Sequence, residues 1–162
     1  MQKIHLPIIA NSDKFSANAD LLLREYINLF KSDPLQGRKI VIEHPVLMAV
    51  AHERALDMSM RNYFGHTDPD GFGPNWHVRN AGYVLPEWYH KEPHANNIES
   101  IGGGFSNAQD LMEGFKSSPG HMKHILGLSE FYQEQTNIGV GVSYHTESKY
   151  KPIWVIITCH KE

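Results

Sequence analysis

The sequence predicts an α/β fold, a three-layer α/β/α sandwich with a small, mostly antiparallel sheet flanked by helices. Three observations lead to this prediction. Helical patterns dominate the chain up to residue 126, two strand patterns close it, and the last of these, at 153–157, is apolar on both faces. A strand that is apolar on both faces needs cover on both sides. Helices supply that cover in layered domains.

Two helices are predicted before residue 64. The first covers about residues 18–31 and ends at Ser32-Asp33-Pro34, where the helical spacing of apolar residues stops. The second begins at Pro45, because proline suits the first turn of a helix, and runs to Tyr63. Its apolar stripe consists of Leu47, Ala51, Ala55 and Met58. We expect this stripe to cover one side of the sheet.

Shorter elements are predicted from local patterns of apolar residues, glycine and proline. In chain order they are a strand-like run at 40–42, a turn-rich loop at 67–71, a helix at 75–82, an irregular connection at 84–97, a strand at 97–101, helices at 107–116 and 118–126, and strands at 138–144 and 153–157. The short polar segment 147–152 predicts an antiparallel hairpin with Trp154 near its loop end. The length fits one domain, at residues 18–162, after an N-terminal extension at 1–17.

Charge and composition argue against several classes of partner. A formal charge of −3 without a basic run argues against nucleic acid. No stretch reaches the roughly 18 to 20 apolar residues of a membrane span. The apolar patch in residues 1–10 is too short for a signal peptide. Cys159 is the one cysteine, so no intrachain disulfide or CxxC motif is available. We expect a monomer without a transmembrane segment.

Standard catalytic signatures are not found, because each of them requires a fixed spacing. His52-Glu53 begins like the helix motif of zinc proteases, but Leu56 stands where the second ligand belongs. The sequence has no GxSxG elbow and no glycine-rich phosphate loop. Cys159 and His160 are neighbours on a strand and point to opposite faces, so they do not form a thiol–imidazole pair.

Five motifs follow one another in a recognisable order, and two of them place a histidine beside glycine at the edge of a helix. They are Tyr63-Phe64-Gly65-His66-Thr67-Asp68-Pro69-Asp70-Gly71, Ala81-Gly82-Tyr83, Asn97-Ile98, Ser117-Ser118-Pro119-Gly120-His121-Met122-Lys123-His124-Ile125-Leu126 and Ile138-Gly139-Val140-Gly141-Val142. In this order the sequence resembles the CAP superfamily (cysteine-rich secretory, antigen 5 and pathogenesis-related proteins), especially its bacterial SCP-like branch. The resemblance runs from about Leu22 to Thr158.

The resemblance implies a cleft with two histidines, which fall on His66 and His121. Some members of the family bind zinc there. Two imidazoles can hold zinc at a surface, but a stable site usually has three protein ligands, so we expect weak binding of Zn²⁺. Alternatively, His66 caps the second helix and His121 hydrogen-bonds across the cleft without chemistry. His124 lies one turn after His121 and is either a third ligand or an ordinary surface residue.

The family also places two acidic residues beside the histidines, and here this chain departs from the pattern. The first position falls on Asn96, with Glu99 three residues later. Strand alternation would turn Glu99 to the face opposite Asn96. The second position falls on Ser118, and Glu113 is a candidate replacement in the preceding helix. These four residues complete the predicted cleft.

Two functions remain open from the sequence. The first is a secreted, non-enzymatic module that binds a small apolar ligand such as a lipid or sterol, or a peptide or protein partner. The resemblance implies that role, and the aromatic-rich segment 83–94 is expected beside the cleft. The second is a zinc-assisted hydrolase or protease in which Glu99 or Glu113 acts as the base. A carboxylate within hydrogen-bond reach of the imidazoles would favour the hydrolase.

Overall fold

The computed structural model of the chain describes residues 12–145 and 148–162. Within them the helices are α1 (Ser12–Ser32), α2 (Pro45–Met60), α3 (Pro74–Asn80), α4 (Ala108–Lys116), α5 (Pro119–Ile125) and α6 (Glu130–Gln133). The strands are β1 (Ile42–Glu43), β2 (Glu99–Gly103), β3 (Asn137–Ser143) and β4 (Ile153–Cys159). The predicted α/β sandwich is confirmed. No helix of the described residues has the length and hydropathy needed to cross a bilayer.

The four strands form one mixed sheet in the order β1-β3-β4-β2. β4 pairs antiparallel with both β3 and β2, whereas the short β1 pairs parallel with β3. Val142 lies opposite Trp154 in the β3–β4 pair, at the loop end of the two strands. The predicted antiparallel hairpin is therefore confirmed, although residues 146–147 of its connection lie outside the described part of the chain.

Two hydrophobic cores lie on opposite faces of the sheet because the side chains of β4 alternate. Val155 and Ile157 pack on one face with α2, and Trp154 and Ile156 pack on the other with α1 and α4. The predicted stripe of α2 is fully buried in the first core: Leu47, Ala51, Ala55 and Met58. Both faces of the sheet are therefore covered, as the apolar sequence of β4 predicts.

Close approach of α2 to the sheet depends on two glycines of β3. A Cβ atom at Gly139 would lie 2.1 Å from the carbonyl oxygen of Leu47, and one at Gly141 would lie 2.4 Å from that of Ala51. These are helix backbone atoms, so a side chain could be accommodated only if α2 moved away from the sheet. The alternation of glycine with Val140 and Val142 therefore puts apolar side chains on one face and a flat surface for the helix on the other.

Three elements differ from the predictions. α1 begins at Ser12, inside the range 1–17 assigned to an extension, and residues 1–11 lie outside the described part of the chain. The strand expected at 40–42 is limited to β1, because pairing with β3 starts only at Ile42. The short α6 was not predicted, since four residues are too few to show a helical period. Its start is marked by Ser129, whose hydroxyl accepts from the backbone N–H of Tyr132.

Candidate functional site

One polar cleft of about 220 Å³ lies where the loop after α2, the start of β2 and helix α5 meet. The loop contributes His66, β2 contributes Glu99 and Ser100, and α5 contributes His121. Both predicted histidines thus lie in one cleft. Its complete lining is His66, Asn96, Asn97, Ile98, Glu99, Ser100, Ser118, Gly120, His121, His124 and Tyr132.

His66 is held in place by a buried ion pair. The guanidinium of Arg54 donates to both carboxylate oxygens of Glu99, at 3.0 and 2.9 Å, and the two side chains are almost entirely shielded from water. Arg54 also donates to the backbone carbonyl of His66 at 2.7 Å, which fixes the loop after α2. The imidazole Nδ1 of His66 lies 2.9 Å from Glu99 Oε1. Arg54, Glu99 and His66 therefore form one connected network.

The charge of Glu99 determines which ring nitrogen of His66 carries the proton. Burial by itself would raise the pKa of Glu99, but the charge of Arg54 and the hydrogen bonds from His66 and Arg54 outweigh it and hold the pKa below its usual value. The carboxylate is therefore ionised and only accepts hydrogen bonds, so Nδ1 of His66 must be the donor. In the neutral imidazole, Nε2 then carries the lone pair.

His121 is anchored in a similar way. Its Nδ1 lies 3.0 Å from Ser118 Oγ, and its ring packs against Phe115 with centroids 5.3 Å apart. Burial and the nearby charge of His66 lower the pKa of His121, which favours the neutral imidazole. Among the described residues, Nε2 of neither His66 nor His121 has a hydrogen-bond partner. Both imidazoles thus line the cleft with Nδ1 engaged, which leaves Nε2 of each ring available to a ligand.

His124 is neither a surface residue nor a free ligand, so both readings of the sequence at this position are wrong. It is 4% exposed at the inner wall of the cleft. Its Nδ1 lies 2.6 Å from Ser100 Oγ, and its Nε2 lies 2.7 Å from Thr158 Oγ1. Because both ring nitrogens are engaged, His124 has no free lone pair for a metal ion.

The direction of the hydrogen bonds around His124 follows from the far end of the network, where Gln135 contacts the backbone carbonyl of Asn97. The carbonyl of Asn97 only accepts, so Gln135 must point its amide Nε2 at it, at 2.9 Å. Gln135 Oε1 then accepts from the hydroxyl of Thr158 at 2.6 Å. Thr158 in turn accepts from His124 Nε2–H, which leaves Nδ1 to accept from the hydroxyl of Ser100. The network thus fits a neutral imidazole.

We predict that His124 makes the domain sensitive to mild acid. Burial and the charge of Arg38 hold the pKa of His124 well below its usual value. The unfolded chain binds a proton near pH 6.5 and the folded chain does not, so stability is complete above that pH and falls below it by up to ~1.4 kcal/mol per pH unit. Urea unfolding between pH 7.5 and 5 measures this slope. In His124→Asn the slope should fall by the equivalent of one proton, and an unchanged slope would refute the assignment.

A sequence model of the cysteine-rich secretory protein family (CAP) matches residues 41–160, which include every element from β1 to β4 and the whole cleft. The chain belongs to the CAP family. A search among curated proteins found no match to the sequence. The family assignment therefore rests on the family model and on the fold.

Solved structures show the same fold in bacterial proteins. An outer surface protein of Borrelia burgdorferi is 16% identical, with a TM-score of 0.58, and the match covers 96% of this chain and 97% of that one. An extracellular protein with an SCP domain from Bacillus anthracis is 18% identical, with a TM-score of 0.63 and coverage of 97% and 45%. A cysteine-rich secretory protein of Staphylococcus aureus is 12% identical, with a TM-score of 0.50 and coverage of 96% and 40%. This CAP domain thus spans nearly all of the first protein and under half of the other two.

The structure also places the non-histidine candidates of the CAP cleft. Asn96, Glu99 and Ser118 all line it. Strand alternation did not separate Asn96 from Glu99, because Asn96 lies in a turn before β2. Its Oδ1 accepts from the backbone N–H groups of Ile98 and Glu99 at 3.0 and 2.8 Å. Glu113 does not reach the cleft: its carboxylate is on the exposed face of α4 and accepts from a neighbouring amide at 3.1 Å.

The aromatic segment 83–94 does not line the cleft, contrary to expectation. Tyr83 and Tyr89 are buried in the core on the α2 side of the sheet, while Trp88 is exposed. Arg54 was missed from the sequence, although a signal was present. It falls between Ala51 and Ala55 on the buried stripe of α2, where an arginine requires a buried partner.

The residues of the cleft fit a zinc ion only in part. Two Nε2 atoms are available, and Glu99 behind His66 repeats the carboxylate–histidine arrangement that commonly orients a metal ligand. Among the described residues, however, no group of three or more His, Cys, Asp or Glu side chains is arranged to hold a metal. A structural or catalytic zinc site normally has at least three protein ligands. Among the described residues, the cleft therefore offers two imidazoles and no third protein ligand.

Proposed function

We propose that this CAP domain is a binding domain whose cleft takes a polar group of a peptide or small-molecule ligand and coordinates a divalent ion weakly through His66 and His121. One observation supports this most: both histidines line the same cleft, and each is anchored through Nδ1 while its Nε2 has no hydrogen-bond partner among the described residues. Zinc, when bound there, would leave coordination positions for water or for a ligand atom.

The lining of the cleft favours a polar ligand over the lipid or sterol considered from the sequence. Most of its side chains are imidazole, amide, hydroxyl or carboxylate groups, and Ile98 is the one aliphatic side chain in its lining. Its volume of about 220 Å³ is smaller than the ~300–1,000 Å³ typical of pockets that enclose a drug-sized molecule. A cleft of this size suits an ion, a side chain or a chain terminus.

We further propose that the domain acts outside the cell, as a monomer. Two of the similar structures are described as an outer surface protein and an extracellular protein, which supports this location for the present chain. Signal-dependent export of a reporter fused to the complete reading frame would test it. Retention of the reporter in the cytoplasm would contradict the proposal.

Zinc-assisted hydrolysis is the second candidate, because Glu99 lies within hydrogen-bond distance of His66. Zinc would supply an activated water molecule. Glu99, however, is buried and both of its oxygens accept from Arg54, so its role is to orient His66 rather than to take a proton from water. Glu113 is on another surface. The proton acceptor would have to be an imidazole, which makes the binding role the better supported of the two.

Isothermal titration with zinc chloride tests the metal part of the proposal. We expect the wild-type protein to bind one zinc ion weakly at pH 7.5, and the double variant His66→Ala with His121→Ala to lose this binding. Affinity should also fall as the pH drops through the imidazole range, because a ligating histidine must be deprotonated. The thermal midpoint should fall only moderately, because Glu99 loses the hydrogen bond from His66 but keeps both of those from Arg54.

The matched control is His90→Ala with His94→Ala, which removes two exposed imidazoles of an irregular segment. His90 also lies 3.7 Å from the carboxylate of Glu92. Zinc that binds adventitiously to surface groups is therefore expected at this segment rather than in the cleft. The control should bind zinc as the wild type does. A wild type that binds no zinc, or a cleft variant that binds it equally well, would contradict the proposal.

A further inference from the structure

An aromatic surface leads away from the cleft. It begins with Tyr132, which lines the cleft, and continues with Phe131, whose ring centroid is 5.1 Å from that of Tyr132. The buried ring of Tyr89 lies 5.3 Å from Phe131 and 6.3 Å from Trp88, so it supports both of these exposed rings. Trp88 itself is 67% exposed. We call Trp88, Phe131 and Tyr132 the aromatic track.

The aromatic track is fixed relative to the cleft by hydrogen bonds. The backbone N–H of His90 donates at 2.9 Å to Oδ1 of Asn97, a residue of the cleft. The amide of Asn75 donates to that same oxygen at 2.8 Å and to the carbonyl of His90 at 3.0 Å. Gln135 donates to the hydroxyl of Tyr89 at 2.9 Å. A surface held in this way loses little conformational entropy when a ligand binds.

The charges beside the aromatic track favour a cation. Glu130 is the first residue of α6 and Glu134 caps its C-terminal end; both are exposed and form no ion pair with any described residue. The cations nearby are engaged elsewhere: Lys91 pairs with Glu87 at 2.5 Å, Arg79 donates to the backbone carbonyls of Tyr89 and His90, and Arg38 is buried. The exposed charge beside Phe131 is therefore negative.

We propose that the aromatic track docks an extended peptide segment that carries lysine or arginine, with the cationic group over the ring of Trp88 or Phe131. Cations are attracted to aromatic faces, and tryptophan gives the strongest interaction. The acidic side chains of α6 add complementary charge. The steps from ring to ring, from Tyr132 through Phe131 and Tyr89 to Trp88, are 5.1, 5.3 and 6.3 Å. An extended chain rises ~3.3 Å per residue, so each step takes about two residues. The cleft end of this peptide rests on the proposed function, whereas docking on the track does not need the two histidines.

NMR titration with a short cationic peptide, acetyl-Gly-Lys-Gly-Arg-Gly-amide, tests the proposal. The probe signals are the indole N–H of Trp88 and the backbone amides of Phe131 and Tyr132. We expect saturable shifts at these positions with the cationic peptide, and none with the peptide in which glutamine replaces Lys and Arg. Trp88→Ala should weaken binding about two- to fivefold, the range of an exposed cation–π contact. Glu130→Gln with Glu134→Gln should also weaken it and reduce its dependence on salt.

Tyr150→Ala is the matched control, because this ring is 40% exposed but stacks on Phe64 at another surface. It should bind the cationic peptide as the wild type does. The double variant His66→Ala with His121→Ala should keep the Trp88 shift even if the zinc proposal fails. Equal shifts with the glutamine peptide, unchanged affinity in Trp88→Ala, or a response of Trp88 to a neutral oligosaccharide in place of the peptide would overturn the inference.

Discussion

Replacement of Arg54 by methionine is expected to lower the free energy of unfolding at pH 7 by about 3–5 kcal/mol, the usual cost of breaking a buried ion pair from one side. Methionine keeps much of the length of the side chain but leaves the carboxylate of Glu99 fully buried with one remaining donor, His66. The loop after α2 also loses the hydrogen bond to its His66 carbonyl. Urea unfolding followed by circular dichroism measures the change.

The pH dependence of the Arg54→Met effect provides its control. In the wild type the pKa of Glu99 lies below its unfolded value, so the stability from this group is present above about pH 4.3 and is lost as the pH falls further. In the variant, burial prevails and raises the pKa of Glu99, so the difference in stability between the variant and the wild type should narrow as the pH falls. The double variant Arg54→Met with Glu99→Gln should recover part of the loss at pH 7. A double variant less stable than the single one would contradict this account.

Ala55→Asp is expected to destabilise the domain by more than about 4 kcal/mol, which is enough to unfold many domains of ordinary stability. Ala55 is fully buried on the face of α2 that packs against the sheet, and the buried cation beside it in the chain, Arg54, is already paired with Glu99. A carboxylate there would lose its hydration without gaining a partner. Leu56→Asp is the matched control, since the next residue along α2 is 37% exposed. Similar melting temperatures for the two variants would show that the buried face of α2 is wrongly assigned.

Elements with a regular pattern were predictable from the sequence. The stripe of α2 repeats at helical spacing, which specifies the buried face of this helix, and the alternation of glycine with apolar residues specifies β3 as a strand. The hairpin of β3 and β4 followed from the short polar segment between two strand patterns. These are local features, in which the residues that determine the structure lie close together in the chain.

The contacts within the cleft were not predictable, because their partners are distant in sequence. Arg54 and Glu99 are separated by 45 residues, and His124 and Thr158 by 34. No periodicity records such pairs, so the ion pair of Glu99 with Arg54 was not predicted and His124 was not recognised as buried. The two cleft histidines were found through the family resemblance, and their anchoring through Nδ1 emerged only from the folded structure.

Long-range ¹H–¹⁵N spectra of the imidazole rings, with and without zinc, test the central claim most directly. Single histidine-to-alanine variants assign the signals. We predict that His66 has its proton on Nδ1 in the free protein, that zinc perturbs Nε2 of both His66 and His121, and that His124 does not respond. A proton on Nε2 of His66 in the free protein, or zinc-dependent changes confined to His90 and His94, would contradict the account.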